Sequence, residues 1–191
     1  MAVNKEKQDK QFPLFAHDNP FRRLFSPPRR FVESFVAKDQ AVVDLGCGPG
    51  FYTIALTECV GPGGRVYAVD SDEKAVGAVQ KKAGDAGLGN IEARVSSAGD
   101  LSFIKDATVD FVLAHGLLCS MAPRERDSAV GEIKRILKPE GRAYLRVAKG
   151  PWSYVSRVDW EKILEGFRVE RRGSKGFVIA DRWAVVSLKT S

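Results

Sequence analysis

A glycine-rich run, residues 41–50 (Ala-Val-Val-Asp-Leu-Gly-Cys-Gly-Pro-Gly), contains the residue types that hold a cofactor. Gly46, Gly48 and Gly50 stand at every second position. Glycine adopts positive φ easily and has no Cβ, so this backbone can turn sharply and approach a ligand closely. Asp44 precedes the first glycine by two residues, where a carboxylate can neutralise a ligand's ammonium group or hold its bound water. The run predicts a cofactor-binding turn.

A second carboxylate ends the next apolar run, residues 65–69 (Arg-Val-Tyr-Ala-Val), at Asp70. An acid at the tip of the second strand of an α/β sheet accepts hydrogen bonds from a ribose diol. The dinucleotide pattern G-x-G-x-x-G needs a glycine at position 51, where this chain has Phe51. We therefore expect a nucleoside cofactor with a positive group rather than a dinucleotide.

Alternating strand and helix patterns predict the elements that must position these residues. Strands are predicted at 41–43, 65–69, 91–95, 109–114 and 142–148, with two more around 167–170 and 183–188. Helices are predicted from Ser26-Pro27-Pro28 onward, from the glycine turn to Gly61, over 72–84, over 122–137 and over 159–165. Ser71 is the predicted cap of the helix over 72–84. The segment 138–141 (Lys-Pro-Glu-Gly) is predicted to end the helix over 122–137. This alternation predicts an α/β fold with a mostly parallel sheet and helices on both faces. Ligands of such sheets bind at the carboxyl ends of the strands.

Three segments give the chain its resemblance to the class I S-adenosylmethionine-dependent methyltransferases. They are Val43–Gly50, Tyr67–Asp70 and Leu137–Arg142, and they follow one another with the order and spacing of that family. The resemblance implies a Rossmann-like, seven-stranded, mostly parallel sheet with the last strand antiparallel. It covers the chain from about residue 28, so we expect a methyltransferase domain over 28–191. We expect residues 1–27 to form an amino-terminal extension that is partly flexible and able to act as a lid.

The resemblance also implies S-adenosyl-L-methionine as the cofactor. The glycines would then lie against its methionine part, with Asp44 near the amino group and Asp70 on the ribose. Relatives often carry Gly-Asp-Ala at the adenine contact, where this chain has Ser-Ser-Ala at 96–98. A hydroxyl lacks the charge that strengthens a hydrogen bond, so we expect weaker polar selection of adenine. The predicted cofactor-binding residues are Asp44, Gly46, Cys47, Gly48, Gly50, Asp70, Ser71, Ser97, Ala98 and Ala114.

His115 follows the fourth predicted strand, where the family places residues that face the transferred methyl group. Imidazole accepts a proton near neutral pH, which makes His115 the candidate general base or acceptor contact. The alternative is that it only packs or bonds to the backbone, since methyl transfer from a sulfonium needs little beyond alignment and a dry path. Aromatic residues suited to the mouth of such a site are Phe12, Phe15, Phe21, Phe25, Trp152 and Tyr154.

The sequence thus predicts a methyltransferase that moves a methyl group by direct displacement to a small-molecule acceptor. One alternative is RNA or protein methylation through a basic rim, for which salt-dependent binding would be expected. A further alternative is a non-enzymatic cofactor-binding module. The candidate members of the rim are Arg22, Arg23, Arg29, Arg30, Arg146, Lys149, Arg157, Arg171, Arg172 and Lys175.

The composition limits the remaining classes. The 191 residues are 44% hydrophobic and 28% charged, as in ordinary globular domains. No apolar run approaches the ~20 residues of a membrane helix, and residues 1–11 lack a secretory signal. Three cysteines without C-x-x-C spacing imply neither a disulfide framework nor a metal site. We therefore expect a cytoplasmic protein without a bound metal or a membrane partner, whose net charge of +6 permits an anionic partner without demanding one.

Overall fold

The computed structural model describes residues 27–148, 153, 155–175 and 181–189, with only the backbone described at 175. The amino-terminal extension up to residue 26 and all six predicted mouth aromatics lie outside the described residues. The same holds for three members of the predicted basic rim, Arg22, Arg23 and Lys149.

Seven strands form one sheet in the order β3-β2-β1-β4-β5-β7-β6. Their bounds are β1 Ala41–Leu45, β2 Arg65–Asp70, β3 Ile91–Val95, β4 Val109–His115, β5 Leu137–Ala148, β6 Arg168–Lys175 and β7 Asp181–Ser187. The first five strands in this order pair in parallel, and β7 pairs antiparallel with both β5 and β6. The predicted fold class is confirmed, including the antiparallel last strand.

Helices cover both faces because successive strand residues point to opposite sides. The helices are α1 Pro28–Val32, α2 Thr53–Val60, α3 Glu73–Asp85, α4 Pro123–Ile136 and α5 Arg157–Glu165, with a short 3-10 turn at Leu118–Ser120. One apolar cluster joins Phe111 and Leu113 of β4 to α1 and α2. A second cluster joins Val112 and Ala114 to α4 and α5. Burial on both faces explains the near-continuous apolar runs of the central strands.

The topology brings several element ends to one side of the sheet. We call this side, where β1, β2, β4 and β5 end, the carboxyl edge. Helix α4 connects the parallel strands β4 and β5, so it runs back across the sheet and begins at the carboxyl edge. Helix α5 begins there too, since β6 and β5 run in the same direction on either side of β7. The loops and helix starts at this edge enclose the candidate site.

Two local predictions are wrong. The side chain of Asp72, not Ser71, caps α3: it accepts a hydrogen bond from the Lys74 N–H at 2.9 Å, while Ser71 is exposed. Residues 138–141 do not form a turn that ends α4; the helix ends at Ile136 and β5 begins at once. The Val109–Leu137 pairing precedes a register shift between β4 and β5, so the Pro-Glu-Gly segment lies inside an irregular strand.

None of the helices among the described residues is long and apolar enough to cross a membrane.

Candidate cofactor and acceptor site

The glycine turn between β1 and α2 is held in a conformation that suits glycine alone. Gly46, Gly48 and Gly50 have φ values of +74°, +51° and +85°. A Cβ on Gly46 would lie 3.0 Å from Leu117, and one on Gly50 would lie 3.1 Å from Val79. A Cβ on Gly48 would meet nothing within 4 Å. The turn is therefore packed on both sides and open at its centre, where a ligand can approach the backbone.

Every N–H group from residue 46 to residue 50 of this turn already has an acceptor in the protein. The first two, at positions 46 and 47, donate to the Val69 carbonyl at 2.8 and 3.0 Å. The Gly48 N–H donates to Asp70 Oδ2 at 2.8 Å. The Gly50 N–H donates to a carbonyl within the turn at 3.1 Å, and Pro49 has no N–H. A phosphate cradle offers free N–H groups, so residues 46–50 are unsuited to holding a pyrophosphate.

Asp70, the last residue of β2, is fixed by two backbone groups. Its Oδ2 accepts from Gly48, and its Oδ1 accepts from the Asp72 N–H at 3.0 Å. Each oxygen of a carboxylate can accept more than one hydrogen bond. Asp70 is therefore pre-oriented and can still accept hydrogen bonds from the two hydroxyls of a ribose.

Asp44 is buried directly beneath the turn, with 3% of its surface exposed. Burial raises its pKa to about 7; the hydrogen bond from Thr53 Oγ1 at 2.6 Å opposes the rise, and the charge of Asp70 adds to it. A carboxyl group in this state becomes fully ionised when a cation binds beside it. Thr53 was not predicted from sequence, because the helix was predicted to begin at the glycine turn, whereas it begins at Thr53.

The other predicted cofactor-binding residues differ in whether their side chains are exposed or buried. The Ser97 side chain is exposed, and its Oγ accepts from the Gly99 N–H at 3.2 Å. Its loop is tied to β2, because the Ser96 N–H donates to the Asp70 carbonyl at 3.0 Å. The side chains of Cys47, Ala98 and Ala114 are buried in apolar clusters, so only their backbone can reach a ligand.

His115, the last residue of β4, lies in a group of rings at the carboxyl edge that we call the aromatic wall (Phe31, Tyr52, His115, Tyr144 and Trp183). His115 Nε2 is 3.2 Å from the Tyr52 hydroxyl. Its ring centre lies 6.0 Å from that of Phe31 and 6.2 Å from that of Tyr144, to which it is nearly parallel. Tyr144 in turn stacks on Trp183 at 6.0 Å. Packing and hydrogen bonding both orient the imidazole, so the geometry is compatible with either role predicted for it.

A partly buried ion pair borders the aromatic wall. Arg146 pairs directly with His115 across the β4–β5 ladder, and its Nε donates to Asp181 Oδ2 at 2.8 Å. The Gly116 N–H donates to the Arg146 carbonyl at 2.9 Å, which fixes the chain just after His115. Asp181 was not identified from sequence, because its partner lies 35 positions away on another strand.

The predicted basic rim is partly neutralised within the protein. Besides Arg146, Arg29 pairs with Glu58 at 3.2 Å and Arg172 pairs with Glu161 at 2.9 Å. Arginines engaged with carboxylates have less positive potential to offer a phosphate backbone. Among the described residues, no group of three or more His, Cys, Asp or Glu side chains is arranged to hold a metal ion.

A seven-stranded sheet with this order, a glycine turn after β1 and a carboxylate after β2 defines a Rossmann-like, nucleoside-binding domain. The model of a family described as "Methyltransferase domain" matches residues 42–141, slightly more than half of the chain. The chain belongs to this methyltransferase family, as its motifs predicted.

Solved and curated relatives agree with the family. The crystal structure of a SAM-dependent methyltransferase from Aquifex aeolicus has a TM-score of 0.73 and 29% identity, covering 91% of this chain and 96% of that one. A demethylmenaquinone methyltransferase from Lactobacillus johnsonii is 31% identical over 65% of this chain and 50% of its own length. A nocamycin O-methyltransferase from Saccharothrix syringae is 31% identical over 62% and 40%. The chain thus spans at most about half the length of the curated relatives it matches.

Proposed function

We propose that the protein binds S-adenosylmethionine at the tips of β1 and β2 and catalyses methyl transfer to a small-molecule acceptor. The observation that carries this proposal is the glycine turn. The N–H groups of residues 46–50 are all satisfied internally, Gly48 is the open one of the three glycines, and a fixed carboxylate, Asp70, stands beside it. Residues 46–50 therefore suit a ribose and a cationic group better than a phosphate.

The residues of the site then have separate roles. When bound, S-adenosylmethionine supplies the methyl group from its sulfonium. Asp70 accepts hydrogen bonds from the ribose hydroxyls, and Asp44 balances positive charge from beneath the glycine turn. Ser97 and the backbone of Ala98 contact the adenine. His115 faces the acceptor as a general base or an orienting contact, held by the hydrogen bond to Tyr52.

The aromatic wall supports a small, planar acceptor. Rings that present their faces and edges bind flat apolar molecules and exclude water from the path of the methyl group. The names of two curated relatives, a demethylmenaquinone methyltransferase and a nocamycin O-methyltransferase, are those of enzymes with small-molecule acceptors. We extend that class of substrate to this chain. We also propose the cytoplasm as its compartment, consistent with three cysteines that are all free.

The two alternative functions receive less support. RNA or protein methylation through the basic rim is disfavoured because Arg29, Arg146 and Arg172 are engaged in ion pairs. A binding module without methyl transfer is disfavoured because the acceptor side of the edge also carries an ordered histidine. Retention on RNA that weakens steeply with salt would support RNA methylation. Cofactor binding without methyl transfer to any fraction would support the binding module.

Cofactor binding is tested first by thermal unfolding and calorimetry. S-adenosylhomocysteine and S-adenosylmethionine should each raise the melting temperature, because a ligand bound only by the folded state stabilises it. NAD at the same concentration should not. Transfer of a labelled methyl group into small-molecule, RNA and protein fractions then identifies the acceptor class. A melting temperature unchanged by either sulfur nucleoside would contradict the proposal.

Asp70→Ala tests the ribose contact. We expect the Kd for S-adenosylhomocysteine to rise about 10- to 100-fold, since the variant loses charge-assisted hydrogen bonds to the ligand. It also leaves the Gly48 N–H without its acceptor, at a cost of about 1–3 kcal/mol of stability if the group stays dry. The control is Asp85→Ala, which removes an exposed carboxylate paired with Lys81 on α3 and should change neither quantity appreciably. An unchanged Kd in Asp70→Ala would refute the assignment.

A further inference from the structure

A buried arginine side chain stands in the first turn of α4, and its Nε has no hydrogen-bond partner among the described residues. Arg126 is 3% exposed, and its Nε makes no hydrogen bond. Within the described part of the chain, the structure records no ion pair for Arg126 either. Arginine keeps its charge in proteins, and a buried charge without a partner is strongly destabilising.

The fold places this charge at the carboxyl edge. Arg126 belongs to the stripe of α4 that faces the sheet, together with the buried residues Ala129, Ile133 and Ile136. Because α4 begins at the carboxyl edge, Arg126 is the member of the stripe nearest to the ends of β4 and β5. The apolar members of the stripe pack in the cluster that contains Ala114 and Leu145 of those two strands.

Neighbouring carboxylates do not take up the charge. The Glu125 carboxylate accepts from the Ala122 N–H at 3.1 Å and caps α4. Asp159, in the first turn of α5, accepts from the Ser156 N–H at 3.1 Å and hydroxyl at 2.7 Å. The charge of Arg126 acts on Asp159 at longer range, and the structure records no ion pair between these two described residues. Both acids are used by helix caps.

Helix geometry adds a second reason to expect an anion. The first turns of α4 and α5 both lie at the carboxyl edge, and the amino-terminal end of a helix is the positive end of its dipole. A cation in the first turn is therefore placed against the dipole of its own helix. A bound anion would reverse both penalties, because it would pair with the guanidinium and sit at the favourable end of the helix.

We propose that Arg126 binds an oxyanion, the carboxylate or phosphate group of the methyl acceptor, at the carboxyl edge beside the ends of β4 and β5. Arginine pairs with either group through two parallel hydrogen bonds. This assignment of substrate class rests on the proposed methyltransferase function. The oxyanion would fix one end of the acceptor at α4, while the aromatic wall on the other side of β4 contacts its ring. Since the guanidinium is almost fully covered, flanking side chains must shift to admit the anion.

The test compares the wild-type protein with Arg126→Met, which fills the same space without charge. Arg124→Met, an exposed change two residues earlier in α4, is the matched control. Thermal unfolding is measured with 20 mM inorganic phosphate, with 20 mM benzoate, and with chloride alone at the same ionic strength. We expect one of the two oxyanions to raise the melting temperature of the wild type and of Arg124→Met by a few degrees, and to leave Arg126→Met unchanged. The oxyanion that raises the melting temperature identifies the acidic group of the acceptor as a phosphate or a carboxylate.

A second measurement separates binding of the acceptor from binding of the cofactor. All three proteins should bind S-adenosylhomocysteine with the same Kd. With an acceptor found by the labelled-methyl screen, Arg126→Met should raise KM at least tenfold, and esterification of the acceptor's acidic group should raise the wild-type KM equally. Arg126→Lys, which keeps the charge, should recover part of the loss.

Three outcomes would overturn the proposal. Equal melting shifts by oxyanions in the wild type and Arg126→Met would show non-specific binding, and no shift in the wild type would show that neither group binds. An Arg126→Met protein that unfolds well below the wild type in chloride would show that the arginine is stabilising as it stands. A failure of S-adenosylhomocysteine to bind the wild type would instead refute the proposed function, and the oxyanion comparison could still be made.

Discussion

The two halves of the carboxyl edge are built from different kinds of contact. In the cofactor half, at the tips of β1 and β2, the main contacts join residues close in the chain: Asp44 and Thr53 are 9 positions apart, and Gly48 and Asp70 are 22 apart. In the acceptor half, at the tips of β4, β5 and β7, Tyr52 and His115 are 63 positions apart. The first half can therefore be specified by a local motif, whereas the second depends on the completed sheet.

The halves also differ in how well their polar groups are satisfied. Residues 46–50 of the glycine turn have an internal acceptor for each of their N–H groups, so this segment presents a preformed surface. Among the described residues, the acceptor half contains a partly buried ion pair, a stack of rings and the unpartnered Nε of Arg126. The family match covers residues 42–141, which include the whole cofactor half and also Tyr52, His115 and Arg126 of the acceptor half, and it ends before Arg146 and Asp181.

The largest effect predicted from this contrast is that of Gly48→Ala on cofactor binding. The new Cβ meets no protein atom within 4 Å, so it projects into the space assigned to the ligand. We expect the Kd for S-adenosylhomocysteine to rise at least 100-fold. The folded protein should lose only about 1–2 kcal/mol, the ordinary cost of a left-handed conformation for alanine. Calorimetric titration and urea unfolding measure the two quantities.

Two further glycines serve as controls for that prediction. Gly77→Ala changes a site within α3 where nothing lies within 4 Å, and it should stabilise the protein by about 0.5–1 kcal/mol without affecting the Kd. Gly46→Ala places a Cβ 3.0 Å from Leu117 and should cost more stability than Gly48→Ala. Wild-type affinity in Gly48→Ala would mean that the ligand does not lie over the centre of the turn.

His115→Ala should act on turnover and leave the cofactor half intact. If His115 is the general base, kcat should fall about 100-fold or more, the usual contribution of such a group. The Kd for S-adenosylhomocysteine should stay within about twofold, since no contact between His115 and the glycine turn is needed for binding. The measurement uses whichever acceptor the labelled-methyl screen identifies.

Tyr52→Phe separates chemistry from positioning in the same experiment. It removes the hydroxyl that lies 3.2 Å from His115 Nε2 and keeps the ring in the aromatic wall. A small loss of kcat in Tyr52→Phe beside a large one in His115→Ala indicates proton transfer by the histidine. Full activity in His115→Ala would leave His115 with a packing role only.

The same contrast explains what could be predicted from the sequence. The succession of strands and helices and the glycine turn could be predicted because apolar runs, glycines and strand-end acids are local signals. The hydrogen bond from the Gly48 N–H to Asp70 was not predicted. The cap of α3 was misplaced by one residue because Ser71 and Asp72 are both good caps, and only the backbone path decides between them. The buried side chains of Cys47 and Ala114 could not be distinguished from ligand contacts without the packing of the sheet.

The acceptor half was predicted less completely, for a physical reason. Arg146 was assigned to a surface rim because arginine is usually exposed. Its pairing with Asp181 requires β7 to insert between β5 and β6, and neither charge indicates that register. From the sequence alone, Arg126 would likewise be assigned to the polar face of a helix. Only the structure shows that it belongs to the stripe of α4 that faces the sheet. Cross-strand neighbours are set by topology, which single-sequence periodicity does not contain.

The smallest predicted effect concerns pH and the charge beneath the turn. Asp44 has a pKa of about 7 in the folded protein against an ordinary value of 3.8. The folded state therefore holds an extra proton between about pH 4 and 7, and this group makes the free energy of unfolding fall as pH rises through that window. A bound cation favours the carboxylate, so the affinity for S-adenosylmethionine should rise from pH 6 to about pH 7 and then level off.

Calorimetric titrations from pH 6.0 to 7.5 check this sign, with an expected gain in affinity of about 3- to 10-fold. Asp44→Asn keeps the shape of the side chain and should give a flat profile and release no proton on binding. S-adenosylhomocysteine has the ammonium group and lacks the sulfonium, so an equal slope for both ligands would place Asp44 beside the amino group. A shallower slope for S-adenosylhomocysteine would place it within reach of the sulfonium. An affinity that falls between pH 6 and 7 would contradict the charge balance proposed for Asp44, because the ionised form would then oppose binding.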